Sequence, residues 1–442
     1  MAVESEPAVR PATAPPVPGA SRRLRAGYAS GALVTGAFST LPGLLLLPYL
    51  TDTLGVGAAL AGTVVLVPKV WNALLGPLVG HAGDRRPRVR AQLLCGGAGV
   101  AAAFTLMFAA PGPASAGAWW AAVGFFLAAT AYAFFQVPYS ALPAELGERP
   151  TDRVALVAGR VAVIAVSALL VGGAGPALVD AGGGGVPGHR LVGLFGAVCV
   201  LAGTAAVLTG IKGAPLAAAR PAEPALRRQL ALARRISGFP ALLAAIVVQS
   251  VATGALTAGA PYFSEHILGD KNTTGLLVAA FVAPNLLTVR PWTRLGTRVG
   301  HRAGYRWACT VFAAGCLLLL TAPALPLPLV LLLMALAGAG HAGQLLFLYA
   351  MLQDVIAAEG LRGAGVSAGL FTTCETLGLA VGPFLYGLIL ALFGYTSSGT
   401  GHALTQSGTA HQGILIGIGL TPALAALLAA AVLNRGGRRV RD

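Results

Sequence analysis

Twelve runs of roughly twenty almost wholly apolar residues, joined mainly by short arginine-bearing turns, leave this chain few solvents in which to fold. The stretch from Val64 to Arg90, VVLVPKVWNALLGPLVGHAGDRRPRVR, shows the arrangement. An apolar helix carrying Lys69, Trp71 and Asn72 passes through Gly76-Pro77 and Gly80. It breaks into a turn with Asp84, Arg85, Arg86, Arg88 and Arg90, and apolar sequence resumes at Ala91. A helix in water hides only one stripe, whereas one apolar all round needs lipid or a large core. Charged residues make up only 10% of the chain against about 25% in soluble domains, so the expected class is an all-α integral membrane protein.

The runs lie near 27–50, 58–80, 92–111, 118–141, 155–178 and 191–211, then near 240–263, 274–290, 307–323, 327–351, 366–394 and 412–433. Residues 1–24, rich in Pro and Ala with no apolar core before a cleavage site, read as a disordered cytoplasmic tail. Residues 25–211 and 239–434 read as two six-helix bundles, 212–238 as the cytoplasmic linker and 435–442 as a basic cytoplasmic tail. The net charge of +15 would favour nucleic acid in a soluble protein. Here the basic residues flank apolar runs, so positive-inside topology explains them and no nucleic-acid partner is expected. With the N-terminus inside, 26 of the 30 Lys and Arg fall on the cytoplasmic side; Arg190 and Lys271 fall outside, and Lys69 and Arg160 lie within helices. Both termini are therefore expected in the cytoplasm, on a multi-pass protein of the cytoplasmic membrane. The five cysteines show neither zinc-ligand spacing nor a disulfide framework.

The basic turn after the second run is echoed by RPWTRLGTRVGHRAGYR after the eighth, at the equivalent place in the second half. Two sets of six helices around a basic central loop match the parallel-repeat layout of major facilitator transporters. Gly80-His81-Ala82-Gly83-Asp84-Arg85-Arg86-Pro87-Arg88 resembles the facilitator signature G-x-x-x-D-[RK]-x-G-[RK]-[RK], with Pro87 in place of a glycine and Val89 in place of the last basic residue.

The resemblance narrows to the glycoside–pentoside–hexuronide:cation symporters, the melibiose permease group. Tyr49-Leu50-Thr51-Asp52-Thr53-Leu54-Gly55 resembles that group's Y-x-T-D-x-x-G after helix one, and Lys69-Val70-Trp71-Asn72 with Gly76-Pro77-Leu78-Val79-Gly80 resembles [RK]-x-W-D-x-x-x-D-P-x-x-G. Val137-Pro138-Tyr139-Ser140-Ala141-Leu142 resembles I-P-[FY]-x-[SA]-L at the end of helix four, and Arg160 falls where the group has an arginine in helix five. Asn285-Leu286-Leu287-Thr288 and Gln353-Asp354-Val355 also fit, so the likeness runs from about Arg25 to Tyr395. It implies the facilitator fold and solute transport. The departures are at chemistry: Asn72 and Gly76 stand where the group's helix-two cation-site carboxylates belong, Val34-Thr35 at its helix-one acid, and Gln136 at its helix-four acid. Sodium coupling is thereby put in doubt, and a proton is the expected coupling ion.

An ionisable group inside a membrane helix is a functional candidate by default. Arg160, with no Lys or Arg closer than Arg153, can offer five donors to sugar hydroxyls or a carboxylate. Glu375 is the one acid deep in the second half; it can take a proton, contact solute or pair with Lys69 or Arg160. Lys69 is a second coupling candidate. Gln136, Tyr139, Asn72, Trp71 and Asn285 complete the expected solute site, although amides in membrane helices often serve as structural bonds and aromatics as packing. Gln249, Gln344 and His341 share that ambiguity. Asp84 with Arg85 and Arg88 reads as a gate at the cytoplasmic rim, and Glu265-His266 and Asp270 as solvated outer-loop residues.

No G-x-x-x-x-G-K-[ST] signals ATP hydrolysis, and no long polar loop carries paired acids, so an enzyme is not expected, nor a cofactor. The expected function is a secondary transporter moving a sugar or glycoside-like solute by alternating access, as a monomer. An exporter of an amphipathic or natural-product molecule, or a non-transporting sensor on the same fold, are the alternatives.

Overall fold

The computed structural model of the chain describes residues 21–85, 88–111, 114–146, 150–213, 238–359, 364–398 and 404–438. Among them the regular structure is helical, without a strand. The first set comprises α1 (Arg22–Leu46), α2 (Ala58–Arg85), α3 (Val89–Met107), α4 (Ala114–Leu146), α5 (Pro150–Ala181) and α6 (Gly185–Gly210). The second comprises α7 (Phe239–Ile267), α8 (Thr273–Val282), α9 (His301–Leu318), α10 (Leu327–Glu359), α11 (Ala364–Leu392) and α12 (Gly408–Asn434). Eleven are long and apolar enough to span a membrane. The twelfth, α8, is short because the rod breaks at Pro284 and at Thr288 before continuing as Pro284–Leu287 and Val289–Val299.

Several helices outrun their apolar stretches. α2 continues to Arg85, so Asp84 sits in its last turn and the expected basic loop shrinks to a few residues. The first helix begins at Arg22, slightly inside the expected tail. The linker between 214 and 237 lies outside the described residues.

Packing repeats between the two sets. Within the first, α1 packs on α5 and α6, α2 on α4, and α3 on α4 and α6; within the second, α7 packs on α11 and α12, α8 on α10, and α9 on α10 and α12. The seams between sets obey the same correspondence: α2 meets α11, and its counterpart α8 meets α5. Both seams are close because small residues face each other, which dispersion alone must hold together in lipid. A Cβ on Gly387 would meet the Ala58 carbonyl oxygen at 2.5 Å, and one on Gly275 would meet Gly173 Cα at 3.2 Å.

The repeat extends to a local detail. Proline removes a backbone N–H and with it one helical hydrogen bond, so the chain after it can widen into a π turn. That happens at Tyr49–Thr53 after Pro48, and again at Phe263–Ile267 after Pro261. Each turn closes the same way: Leu54 N–H donates to Tyr49 O (3.0 Å) and Leu268 N–H to Phe263 O (3.1 Å). Gly55 (φ 71°) and Gly269 (φ 73°) follow, in the left-handed region that glycine tolerates. Asp52 and His266 therefore occupy equivalent places in the two sets.

Candidate functional site

Two groups of polar side chains join the halves or face each other across them. The first lies midway along the helices. Arg160 of α5 holds its Cζ 5.2 Å from the centroid of the Tyr139 ring of α4, a cation–π distance. Tyr139 is fixed from behind: its hydroxyl donates to Tyr28 O (2.7 Å) and its ring stacks on Tyr28 at 4.8 Å. Arg160 is half-buried, and no carboxylate pairs with it among the described residues. One turn up α4, Gln136 Oε1 accepts from Thr35 Oγ1 and from Tyr132 OH, both at 3.0 Å. The amide oxygen is thus occupied while its NH₂ is left to donate. Tyr132 in turn stacks on Phe38 at 3.9 Å.

The second half answers with Glu375 of α11, whose Oε2 accepts from Tyr349 OH of α10 at 2.9 Å. Arg160 lies near enough to act electrostatically on both Glu375 and Tyr349, so the cation of one half is close to the acid of the other. The sequence names Arg160, Tyr139, Gln136 and Glu375 separately; folding brings them together. Tyr132, Thr35 and Tyr349 are added by the structure, since a hydroxyl in an apolar run carries no signal of its own.

The remaining candidates make contacts of their own. Trp71 Nε1 donates to Thr130 Oγ1 (3.0 Å) and its ring stacks on Phe126, while Asn72 Nδ2 donates to Ala129 O (2.8 Å). Both side chains tie α2 to α4. Lys69 is buried, with no acid paired to it among the described residues. Asn285, beside the break in α8, leaves its Oδ1 buried without a donor among the described residues, as do the Oε1 atoms of Gln249 and Gln344. His341 Nδ1 accepts from Gln249 Nε2 (3.0 Å) and lies 3.3 Å from Thr253 Oγ1. Arg88 is exposed at the start of α3; the side chains of Asp84 and Arg85 lie outside the described residues. Among the described residues no three His, Cys, Asp or Glu side chains gather as metal ligands.

The second group seals the end of the molecule away from the termini. Tyr395 OH donates to Asp52 Oδ1 at 2.7 Å, and His266 Nε2 stands 2.9 Å from the same hydroxyl. With the phenolic hydrogen given to Asp52, His266 must donate from Nε2. The two equivalent residues of the repeat are thus joined through one tyrosine. Thr51 Oγ1 meets Tyr262 OH at 2.7 Å, Ser397 Oγ donates to Val56 O at 2.9 Å, and Lys271 pairs with Asp180. These three contacts, like Tyr395 to Asp52, cross between the halves. Burial pushes the Asp52 carboxyl up from 3.8 to about 7; the Tyr395 hydrogen bond pulls it down and the nearby Glu265 charge adds to the rise. The solvated outer-loop reading of His266 is corrected here: its π turn folds it inward against Tyr395, half-buried. At the opposite end the described polar contacts stay within one half, as in Arg90 Nη2 to Ile211 O (3.2 Å) and His301 to Asp354 (2.7 Å).

Comparison with known proteins agrees with this architecture. The family model described as MFS/sugar transport protein matches residues 27–435. YagG of Escherichia coli K12, named as a glycoside/cation symporter, is 26% identical over 84% of this chain and 83% of its own. The glucuronide carrier protein homolog of the same organism is 24% identical over 93% of this chain and 92% of its own. Among solved structures, a bacterial homologue of the human lysosomal transporter Spinster, inward-facing and unoccupied, superposes with a TM-score of 0.70 at 16% identity, covering 95% of this chain and 98% of that one. A match across nearly all twelve helices, with the packing repeat beneath it, makes this chain a multi-pass membrane transporter of the MFS/sugar transport protein family, within the glycoside–pentoside–hexuronide:cation symporter group.

Proposed function

We propose that the protein moves a sugar or glycoside-like solute across the cytoplasmic membrane together with a proton, with both termini in the cytosol. The observation that carries this reading is the facing of Arg160 and Tyr139 on one half by Glu375 and Tyr349 on the other. A guanidinium, a phenol plane and an amide NH₂ can hold a hydroxylated ring, while the carboxylate across from them supplies a place for a proton. Because solute contacts come from both halves, binding biases their relative rocking. The names of YagG and of the glucuronide carrier homolog, a glycoside/cation symporter and a glucuronide carrier, point to the same solute class. With the termini in the cytosol, the hydrogen-bonded end is the outer one and this conformation opens inward. Proton in preference to sodium follows from Asn72 and Gly76, which put no carboxylate on the relevant face of α2. The candidate contacts all come from one chain, so a monomer suffices.

Purified protein in proteoliposomes tests this directly. An imposed inward proton gradient should drive accumulation of a labelled glycoside, and a proton ionophore should abolish it. Accumulation driven by sodium and indifferent to the ionophore would reverse the ion assignment. The absence of solute-dependent flux across a panel of glycosides and uronides would reject the solute class.

A further inference from the structure

A second concave site lies at the terminus-bearing end, wholly within the second half. It is a cleft of about 450 Å³ bounded by the starts of α7 and α9 and the ends of α10 and α12. Leu242, Met351 and Leu433 are among its apolar walls, and Arg302 and Arg306, one turn apart on α9, line its polar side. Its one acid, Asp354, is already engaged by His301 (Nδ1 to Oδ2, 2.7 Å). Both arginines are exposed, and neither has an ion-pair partner among the described residues.

We propose that this cleft binds the phosphate of an anionic membrane phospholipid, held between Arg302 and Arg306. Four observations lead there. The arginines are one helical turn apart, so their heads point the same way and can share one phosphate. They end a run at strict four-residue spacing, Arg290, Arg294, Arg298, Arg302 and Arg306, all exposed, which draws anions toward that end. The walls are apolar enough to take part of a glycerol or acyl chain, which free phosphate does not need. The chain's own flanking segments are poor occupants by charge: residues 214–237 carry five arginines against one glutamate, and the C-terminal end adds Arg435, Arg438, Arg439 and Arg441. Anionic lipid lies at the cytoplasmic surface, where juxtamembrane basic residues bind it. The site is distinct from the Arg160–Glu375 group, so it stands or falls apart from the solute assignment.

Native mass spectrometry of the purified full chain with added phosphatidylglycerol or phosphatidylcholine provides the test. The wild type should retain phosphatidylglycerol in preference. Arg302→Ala with Arg306→Ala should weaken that retention on the order of tenfold. Arg290→Ala with Arg294→Ala removes the same charge outside the cleft and should leave retention within about twofold of wild type. The double lysine variant, Arg302→Lys with Arg306→Lys, keeps the charge and should recover most binding, which separates lost contact from lost fold. Equal weakening by both alanine pairs would overturn the proposal in favour of diffuse surface attraction, and so would unchanged retention in the cleft pair. Displacement of the lipid by millimolar inorganic phosphate would show the ligand to be a soluble anion and would overturn the lipid assignment.

Discussion

Tyr395 donates its phenolic hydrogen to Asp52 across 2.7 Å, joining the end of the eleventh helix to the end of the first. The same hydroxyl meets His266, the counterpart of Asp52 in the second half, so one tyrosine pins both copies of a repeated turn. With Asp52 ionised, a bond of this kind contributes roughly 1.5–3 kcal/mol, enough to set which end of a rocking molecule is closed.

Tyr395→Phe keeps the ring and removes the donor. The ends of the two halves away from the termini should then separate in a larger share of molecules, by about tenfold or more in the open-to-closed ratio. Pulsed electron–electron distances between spin labels at that end of α2 and α11 would report it. An unchanged distance distribution would mean that the glycine seams alone hold the end shut.

The same contact should respond to pH. When that end opens, Asp52 meets water and returns toward its ordinary value of 3.8; closed, burial holds it near 7. The closed form therefore binds the extra proton. Closure is fully favoured below the lower value, weakens by up to about tenfold per pH unit as pH rises through the window, and levels off above about 7. Glu265, His266, Tyr262 and Tyr395 surround the carboxyl, so Asp52→Asn is the variant that assigns the effect. It should flatten the pH dependence of the spin-label distances between pH 5 and pH 8.

Arg160→Ala should remove solute flux while leaving expression and thermal stability near wild type, because the guanidinium has no carboxylate partner to orphan among the described residues. Arg160→Lys keeps the charge but not the planar fork that lies over Tyr139, and should restore little flux. Uptake in proteoliposomes reads both. Normal uptake by the alanine variant would take Arg160 out of the solute site.

Glu375→Gln keeps the hydrogen bond to Tyr349 possible and deletes the titrating proton. Proton-driven accumulation should vanish while exchange of labelled for unlabelled solute at equal pH persists. Retained accumulation would move the coupling proton to another group.

Gly387→Val places a side chain where a single Cβ already meets the Ala58 carbonyl oxygen at 2.5 Å. The α2–α11 seam must part, at a cost of about 1–3 kcal/mol for an overpacked contact. The population open at that end should rise, seen in the same distance measurement, with a fall in transport.

Much of the candidate site was written in the sequence, but only as separate letters. Arg160 and Glu375 announce themselves because a charge within an apolar run has few reasons to persist in lipid. Asp52 and His266 do not: each sits at the end of a run beside a glycine, where a solvated turn is the ordinary reading. Trp71 and Asn72 match a family motif in composition, yet their hydrogen bonds to Thr130 and Ala129 are spent between helices.

The sequence by itself determined the solvent, the number of rods and the two-fold repeat, because apolar length and the placement of arginine act on each helix independently of its neighbours. Only the tertiary structure decided that Asp52 and His266 share Tyr395, and that Arg160 confronts Glu375. Those pairings join residues hundreds of positions apart, and they exist only after six rods have been laid against six others. The charge pattern governs how each helix enters the membrane; close packing of glycine on backbone governs which faces meet.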